Sequence, residues 1–228
     1  MRKIYYLLLM TLPIYAFSQT DTTGMTKKTS TEKKQHSSIG LGLKVGLNFT
    51  NISSTSQISH SSETGYQVGI FLDPTSHSIL GSRTEFLYSH QGYNYATGQV
   101  TGQVYLDYLM LAQLMVINIT HFVQIQVGTQ IAYLINAKQD SAGMSTGIAS
   151  ADQLLNYYNR IDFGFAGGLE VRPFAGILVG ARYNFSLTNL YKIPDLNSGS
   201  TTPPSYVPST SDLNFKNNLL QFYVGYRF

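Results

Sequence analysis

Cysteine and tryptophan are absent from the 228 residues, charged side chains make up only 12%, and no apolar run is long enough to cross a bilayer as a helix. Each of these gaps excludes something. Without cysteine there is no lipoprotein anchor. A membrane-spanning helix needs about 20 consecutive apolar residues, and here the hydrophobic residues are dispersed. The charged share is about half that of an ordinary soluble domain, which argues against a cytosolic enzyme. The formal charge of +3 comes from Arg2, Lys3, Lys27, Lys28, Lys33 and Lys34 near the start; with these and Asp21 and Glu32 set aside, nine cations face ten anions. There is no basic footprint for nucleic acid. What is abundant is glycine (20), tyrosine (17) and phenylalanine (12).

The first residues, "MRKIYYLLLMTLPIYAFSQ", combine Arg2 and Lys3 with an apolar core from Ile4 to Phe17 and small residues Ala16 and Ser18 before Gln19. This pattern predicts a secretory signal peptide over residues 1–18. Residues 19–38 are almost devoid of apolar side chains and are expected to form a disordered periplasmic lead-in.

From Ile39 onward the hydropathy has period two, the signature of strands. The odd residues of the first segment are Ile39, Leu41, Leu43, Val45, Leu47 and Phe49, and the even ones include Gly40, Lys44 and Asn48. The closing "NLLQFYVGYRF" sets Leu220, Phe222, Val224, Tyr226 and Phe228 on one face. Eight such segments can be drawn. In the fourth, "VYLDYLMLAQLMV", both faces are apolar; placing Asp107 and Gln113 with the other polar residues leaves Val104, Leu106, Tyr108, Met110, Ala112, Leu114 and Val116 facing outward. On this reading the charges Lys44, Arg83, Glu85, Asp107, Arg160, Asp162, Glu170, Arg182 and Arg227 all share the polar side.

Alternation alone fits a soluble barrel as well as a membrane one. Loop lengths separate them: the gaps at 73–77, 118–121 and 172–175 are short, and those after the odd-numbered segments are longer, up to 191–215. Short periplasmic turns, long extracellular loops and an even strand count predict an all-β, eight-stranded antiparallel transmembrane barrel over 39–228, with both termini periplasmic. The apolar faces then meet outer-membrane lipid, and the last strand is not an edge because it closes on the first. Leu220, Phe222, Val224, Tyr226 and Phe228 are expected to be the signal read by barrel-assembly machinery.

"GLKVGLNFTNI", "YLDYLMLAQLMV" and "LLQFYVGYRF", together with the "AFSQ" cleavage region, resemble the PorT-like outer-membrane β-barrel proteins of Bacteroidetes over about residues 39 to 228. The mid-chain strand departs from that pattern in lacking a proline. The resemblance implies the barrel fold and suggests, through the family's founding member, an accessory role in a type IX-like secretion or envelope-assembly machine. It carries no catalytic residues with it.

An eight-stranded barrel has room inside only for side chains, so the nine charges predict an ion-paired plug rather than a pore. No catalytic, cofactor-binding or metal-ligating set is found. His36, His60, His77, His90 and His121 are scattered without zinc spacing. Ser89 and His90 lie near the outer rim, where a lipid-modifying enzyme would act, but neighbours on a strand point to opposite faces and cannot form a dyad. The reading is a non-catalytic barrel with a structural or interaction role, meeting protein partners through loops 137–157 and 191–215. A lipid-modifying enzyme or a small channel is the alternative.

Overall fold

The alternation is realised as eight antiparallel strands: β1 (Ile39–Ser53), β2 (Ser59–Pro74), β3 (Leu80–Thr97), β4 (Val100–Asn118), β5 (Val123–Ala142), β6 (Ile161–Phe174), β7 (Ile177–Ser186) and β8 (Lys216–Arg227). This is a computed structural model, and it describes residues 39–53, 59–74, 79–97, 100–142, 158–190 and 216–228. The expected signal peptide (1–18), the lead-in (19–38) and loop 191–215 lie outside the described residues. Each strand pairs with the next, and β8 returns to β1 with Leu43 opposite Tyr226 and Phe49 opposite Leu220. Closure leaves no unpaired edge, as an environment without water requires.

The outer wall is apolar. Leu43, Val45, Leu47, Val68, Phe86, Val127, Phe165, Phe222 and Val224 are each about half exposed, whereas Lys44 is 1% exposed. So extensive an exposed apolar belt would be an aggregation surface in water, and hydrocarbon is the solvent that suits it.

Short turns close one end. Between β4 and β5 the Thr120 hydroxyl accepts hydrogen bonds from the backbone N–H of Phe122 (3.1 Å) and Val123 (3.0 Å), folding the chain back. Between β6 and β7, Gly176 has φ +83°, a left-handed conformation that favours glycine. At the other end two hairpins run on. β3 and β4 stay paired as far as Thr97 opposite Val100, and β1 and β2 leave only 54–58 between them. Residues expected in long loops after the first and third segments are therefore largely strand. The same holds for 137–142, which belong to β5. Tyr, Thr and Val continue through these hairpins and favour strand over loop.

One strand faces the opposite way from the hydropathy reading. Val104, Leu106, Tyr108, Met110, Ala112, Leu114 and Val116 of β4 point into the barrel, none more than 2% exposed. Asp107 and Gln113 point outward. The cause is the register: directly opposed residues of an antiparallel pair share a face. Leu114 is opposite Arg83 and Ala112 is opposite Glu85, both inside, so β4's parity is set by β3. The outward polar groups are satisfied laterally, Thr84 Oγ1 donating to Gln113 Oε1 at 2.7 Å. Asp107 is thus no part of the interior. Nor is Arg160, which precedes β6, is exposed, and lies at the end of the barrel where the luminal alternation has run out.

Gly42 shows how tightly the lumen is filled. A Cβ there would fall 2.1 Å from the ring of Phe71, which is fully buried under the Arg83 guanidinium at 4.9 Å. Gly42→Val is expected to lower stability by about 1–3 kcal/mol, and a second change, Phe71→Ala, to recover part of the loss. Urea unfolding midpoints of the three variants would read this directly.

Candidate functional site

Three carboxylates organise the lumen. Glu85 accepts from Lys44 Nζ at 2.9 Å and takes a two-pronged contact from Arg182, Nη1 to Oε2 at 2.6 Å and Nη2 to Oε1 at 2.9 Å. Glu170 takes the same fork from Arg83 at 2.5 and 3.0 Å, and also accepts from Gln126 Nε2 at 2.7 Å and the Tyr223 hydroxyl at 3.2 Å. Asp73 accepts from Arg83 Nη2 at 3.0 Å and Arg172 Nη2 at 2.6 Å, with Arg227 Nη1 at 3.9 Å. Bidentate pairs of this kind are the strong form of the interaction.

The ionic layer also has an aromatic member. The Tyr223 ring lies 3.6 Å from Lys44 Nζ and 5.4 Å from the Arg182 guanidinium carbon. Gln126 bridges the halves, donating to Glu170 and accepting from Arg182 Nη2. Lys44, Arg83 and Arg182 balance Glu85, Glu170 and Asp73, and all six are nearly or fully buried. Burying these charges is costly unless each is paired, and here each one is.

Toward the long-loop end the ionic layer gives way to uncharged polar groups. Asn48 Nδ2 and Gln91 Nε2 both donate to Ser89 Oγ at 2.8 Å, Asn217 Nδ2 to Gln91 Oε1 at 2.7 Å, and Gln221 Nε2 to Gln67 Oε1 at 2.8 Å. Asp162, half-buried on the luminal side of β6, accepts from the Ser186 hydroxyl and borders a cavity of about 10 Å³ with Tyr108, Gln130 and Asn217. That is room for about one water molecule. The inward apolar face of β4 fills the opposite side.

A second polar group of residues lies on the outer wall. His90 Nδ1 and Asp107 Oδ1 are 2.5 Å apart, and Asn136 Nδ2 donates to Asp107 Oδ2 at 2.9 Å. The His90 ring is stacked between Tyr66 (centroids 5.1 Å apart) and Tyr105 (5.5 Å). Ser89 faces the lumen, so the adjacent serine and histidine are on opposite sides of the wall, as alternation requires.

Of the nine charges expected to form an interior network, Lys44, Arg83, Glu85, Glu170 and Arg182 come together. Arg227 is half-buried beside Asp73, Asp162 stands apart with Ser186, and Asp107 and Arg160 are elsewhere. Sequence reasoning missed Asp73 and Arg172 because "DPTSH" and "RPFA" read as turns. Continuing the alternation would have found both: Asp73 has the parity of Gln67 and Phe71, and Arg172 that of Glu170.

No curated protein sequence matches the chain. Among solved structures, Neisserial surface protein A is similar at 14% identity, with 82% of this chain and 97% of that one covered and a TM-score of 0.50. Ail of Yersinia pestis, in complex with the heparin analogue sucrose octasulfate, is similar at 11% identity (83% and 99% covered, TM-score 0.45). OprG of Pseudomonas aeruginosa is similar at 11% (85% and 97%, TM-score 0.42). At 14% identity the likeness to Neisserial surface protein A concerns the fold alone. The family model "Outer membrane protein beta-barrel domain" matches residues 17–192, most of the chain. With a closed eight-stranded barrel and an apolar outer wall, the chain belongs to the outer membrane β-barrel domain family, and its place is the outer membrane.

Proposed function

We propose that this barrel is a non-catalytic outer-membrane protein that acts through its long-loop end, with its lumen serving as structure rather than passage. The observation that supports this most is the ionic layer: Glu85, Glu170, Lys44, Arg83 and Arg182 reach across the lumen from opposite walls with side chains at most 1% exposed. A solute would have to break both bidentate pairs, Arg182–Glu85 and Arg83–Glu170, to pass. Recognition is then left to the rim, the paired hairpins and the segments 143–157 and 191–215. In this reading the termini lie in the periplasm, and the outward residues Leu220, Phe222, Val224, Tyr226 and Phe228 of β8 and the final position are the mark used by the assembly machinery. The sequence resemblance supports a finer placement among PorT-like barrels of Bacteroidetes, with secretion or envelope-assembly components as the partner class.

Planar-bilayer recording tests the proposal. Purified protein inserted into a planar membrane is expected to give no stable conductance steps. Long-lived large openings would replace this reading with that of a small channel.

A further inference from the structure

On the outer wall, register aligns one residue from each of four strands in a single row. Tyr66 of β2 is opposite His90 of β3, His90 is opposite Asp107 of β4, and Asp107 is opposite Asn136 of β5. The row beneath it is Val68, Tyr88, Leu109 and Tyr133, and the one beneath that is Ile70, Phe86, Leu111 and Ile131. The row above contains Gly92, Tyr105 and Lys138. The surface thus changes from apolar to polar at the His90–Asp107 level. Strands tilted about 40° climb roughly 2.5 Å per residue, so His90, ten residues beyond Leu80, stands about 25 Å above the short-turn end. That is the height of the apolar band, so His90 and Asp107 lie where acyl chains give way to head groups, with Tyr66 lower and Asn136 higher along the slanted row.

The row is built, not incidental. Between β4 and β5 the register shifts at Asp107 and Tyr108, which pair with Asn136 and Leu134. The extra residue, Ile135, changes the parity of the residues after it. In an unbroken alternation Ile135 would pair with Asp107 and Asn136 would fall on the luminal side with Leu134; the bulge leaves Ile135 unpaired, so Asn136 reaches the outer face and donates to Asp107. Bulges that re-aim a side chain in this way are features of sites. Stacking between Tyr66 and Tyr105 then fixes the plane of the imidazole.

The hydrogen-bond roles are set by valence. A carboxylate can only accept, so in the neutral ring Nδ1 carries the hydrogen and gives it to Asp107, leaving Nε2 as an acceptor. Asp107 accepts from His90, Asn136 and the Tyr88 hydroxyl, and its two oxygens, with about four lone-pair sites between them, keep room for one more donor. The His90 and Asp107 side chains are 26% and 14% exposed. The row therefore offers acceptors to the head-group layer. A phosphate, itself an acceptor and an anion, is a poor match beside Asp107; a hydroxyl group, which donates, is a good one. Resting on the reading above that the long-loop end is extracellular, we propose that Tyr66, His90, Asp107 and Asn136 form a docking site for the hydroxyl-bearing sugar head group of an outer-leaflet glycolipid. The lipid would be held against the wall at its own interfacial depth, with His90 Nε2 accepting from a sugar hydroxyl.

The test uses the full barrel in detergent with monoglucosyl diacylglycerol or phosphatidylglycerol added, and native mass spectrometry counts the lipids retained. The wild type is expected to retain the glucolipid about five- to tenfold better than phosphatidylglycerol, and His90→Phe, which keeps a stacked ring but no acceptor, to lose that preference. Equal retention of both lipids by the wild type, or an undiminished preference in His90→Phe, would overturn the proposal. If His90→Phe fails to fold, carbethoxylation of His90 in the wild type gives the same answer. Protection by the glucolipid, and not by phosphatidylglycerol or free glucose, is expected. Absence of protection overturns the site, and protection by glucose alone overturns the lipid as its source.

Discussion

Replacing Glu85 by alanine is expected to cost about 3–5 kcal/mol, enough to threaten folding, because it strands buried cations rather than merely deleting contacts. Lys44 and Arg182 both depend on this carboxylate, with side chains at 0% and 1% exposure, and Arg83 Nη1 lies 3.9 Å from it. Neither cation can reach water without leaving the lumen. Arg182 keeps Gln126, and both keep the face of Tyr223, but neither partner carries a compensating charge. The double change Glu85→Ala with Lys44→Met should be less damaging than Glu85→Ala alone, since it removes a stranded charge along with its partner. Urea titrations of the refolded variants, followed by the gel shift between folded and boiled samples, would measure this. An effect of Glu85→Ala below about 1 kcal/mol, the range of an exposed pair, would mean that the layer is hydrated and not sealed.

The barrel itself was legible because seven strands state their orientation twice, once in an apolar face and once in glycines or charges opposite it. Lys44 between Leu43 and Val45, or Arg182 between Ala181 and Tyr183, leaves little choice of side. β4 states nothing so clearly. Its two faces differ by an aspartate and a glutamine, and both can be accommodated on the outer wall, Gln113 by Thr84 and Asp107 by His90 and Asn136. Its orientation is fixed instead by neighbours, through Arg83 opposite Leu114 and Glu85 opposite Ala112, and such pairings are not written in the strand's own residues. The site suffered similarly. Individual luminal charges could be named, but which pairs form depends on the stagger of the strands around the barrel. Asn136 was hidden further, because a bulge breaks the very periodicity used to read the strand.

The orientation of β4 makes the other large prediction. Leu111 is 47% exposed on the outer wall, six residues from Ile117 at the short-turn end, or roughly 15 Å up at about 2.5 Å per residue, near the middle of the apolar band. Leu111→Arg is expected to destabilise the barrel in lipid vesicles by about 2–4 kcal/mol, because a guanidinium at that depth can reach head groups only by distorting the bilayer. Tyr105→Arg, six residues higher and beyond the His90 row, should cost about 1 kcal/mol or less, since the penalty fades at the interface. Had hydropathy decided the matter, Leu111 would lie in the lumen and its cost would not depend on bilayer depth. The absence of native cysteine allows a clean companion measurement: a spin label on Leu111→Cys should collide with oxygen dissolved in the lipid, whereas one on Met110→Cys, 2% exposed in the wild type, should be shielded from it. A reversed pattern would turn β4 over, carrying Asp107 into the lumen and removing the outer polar row with it.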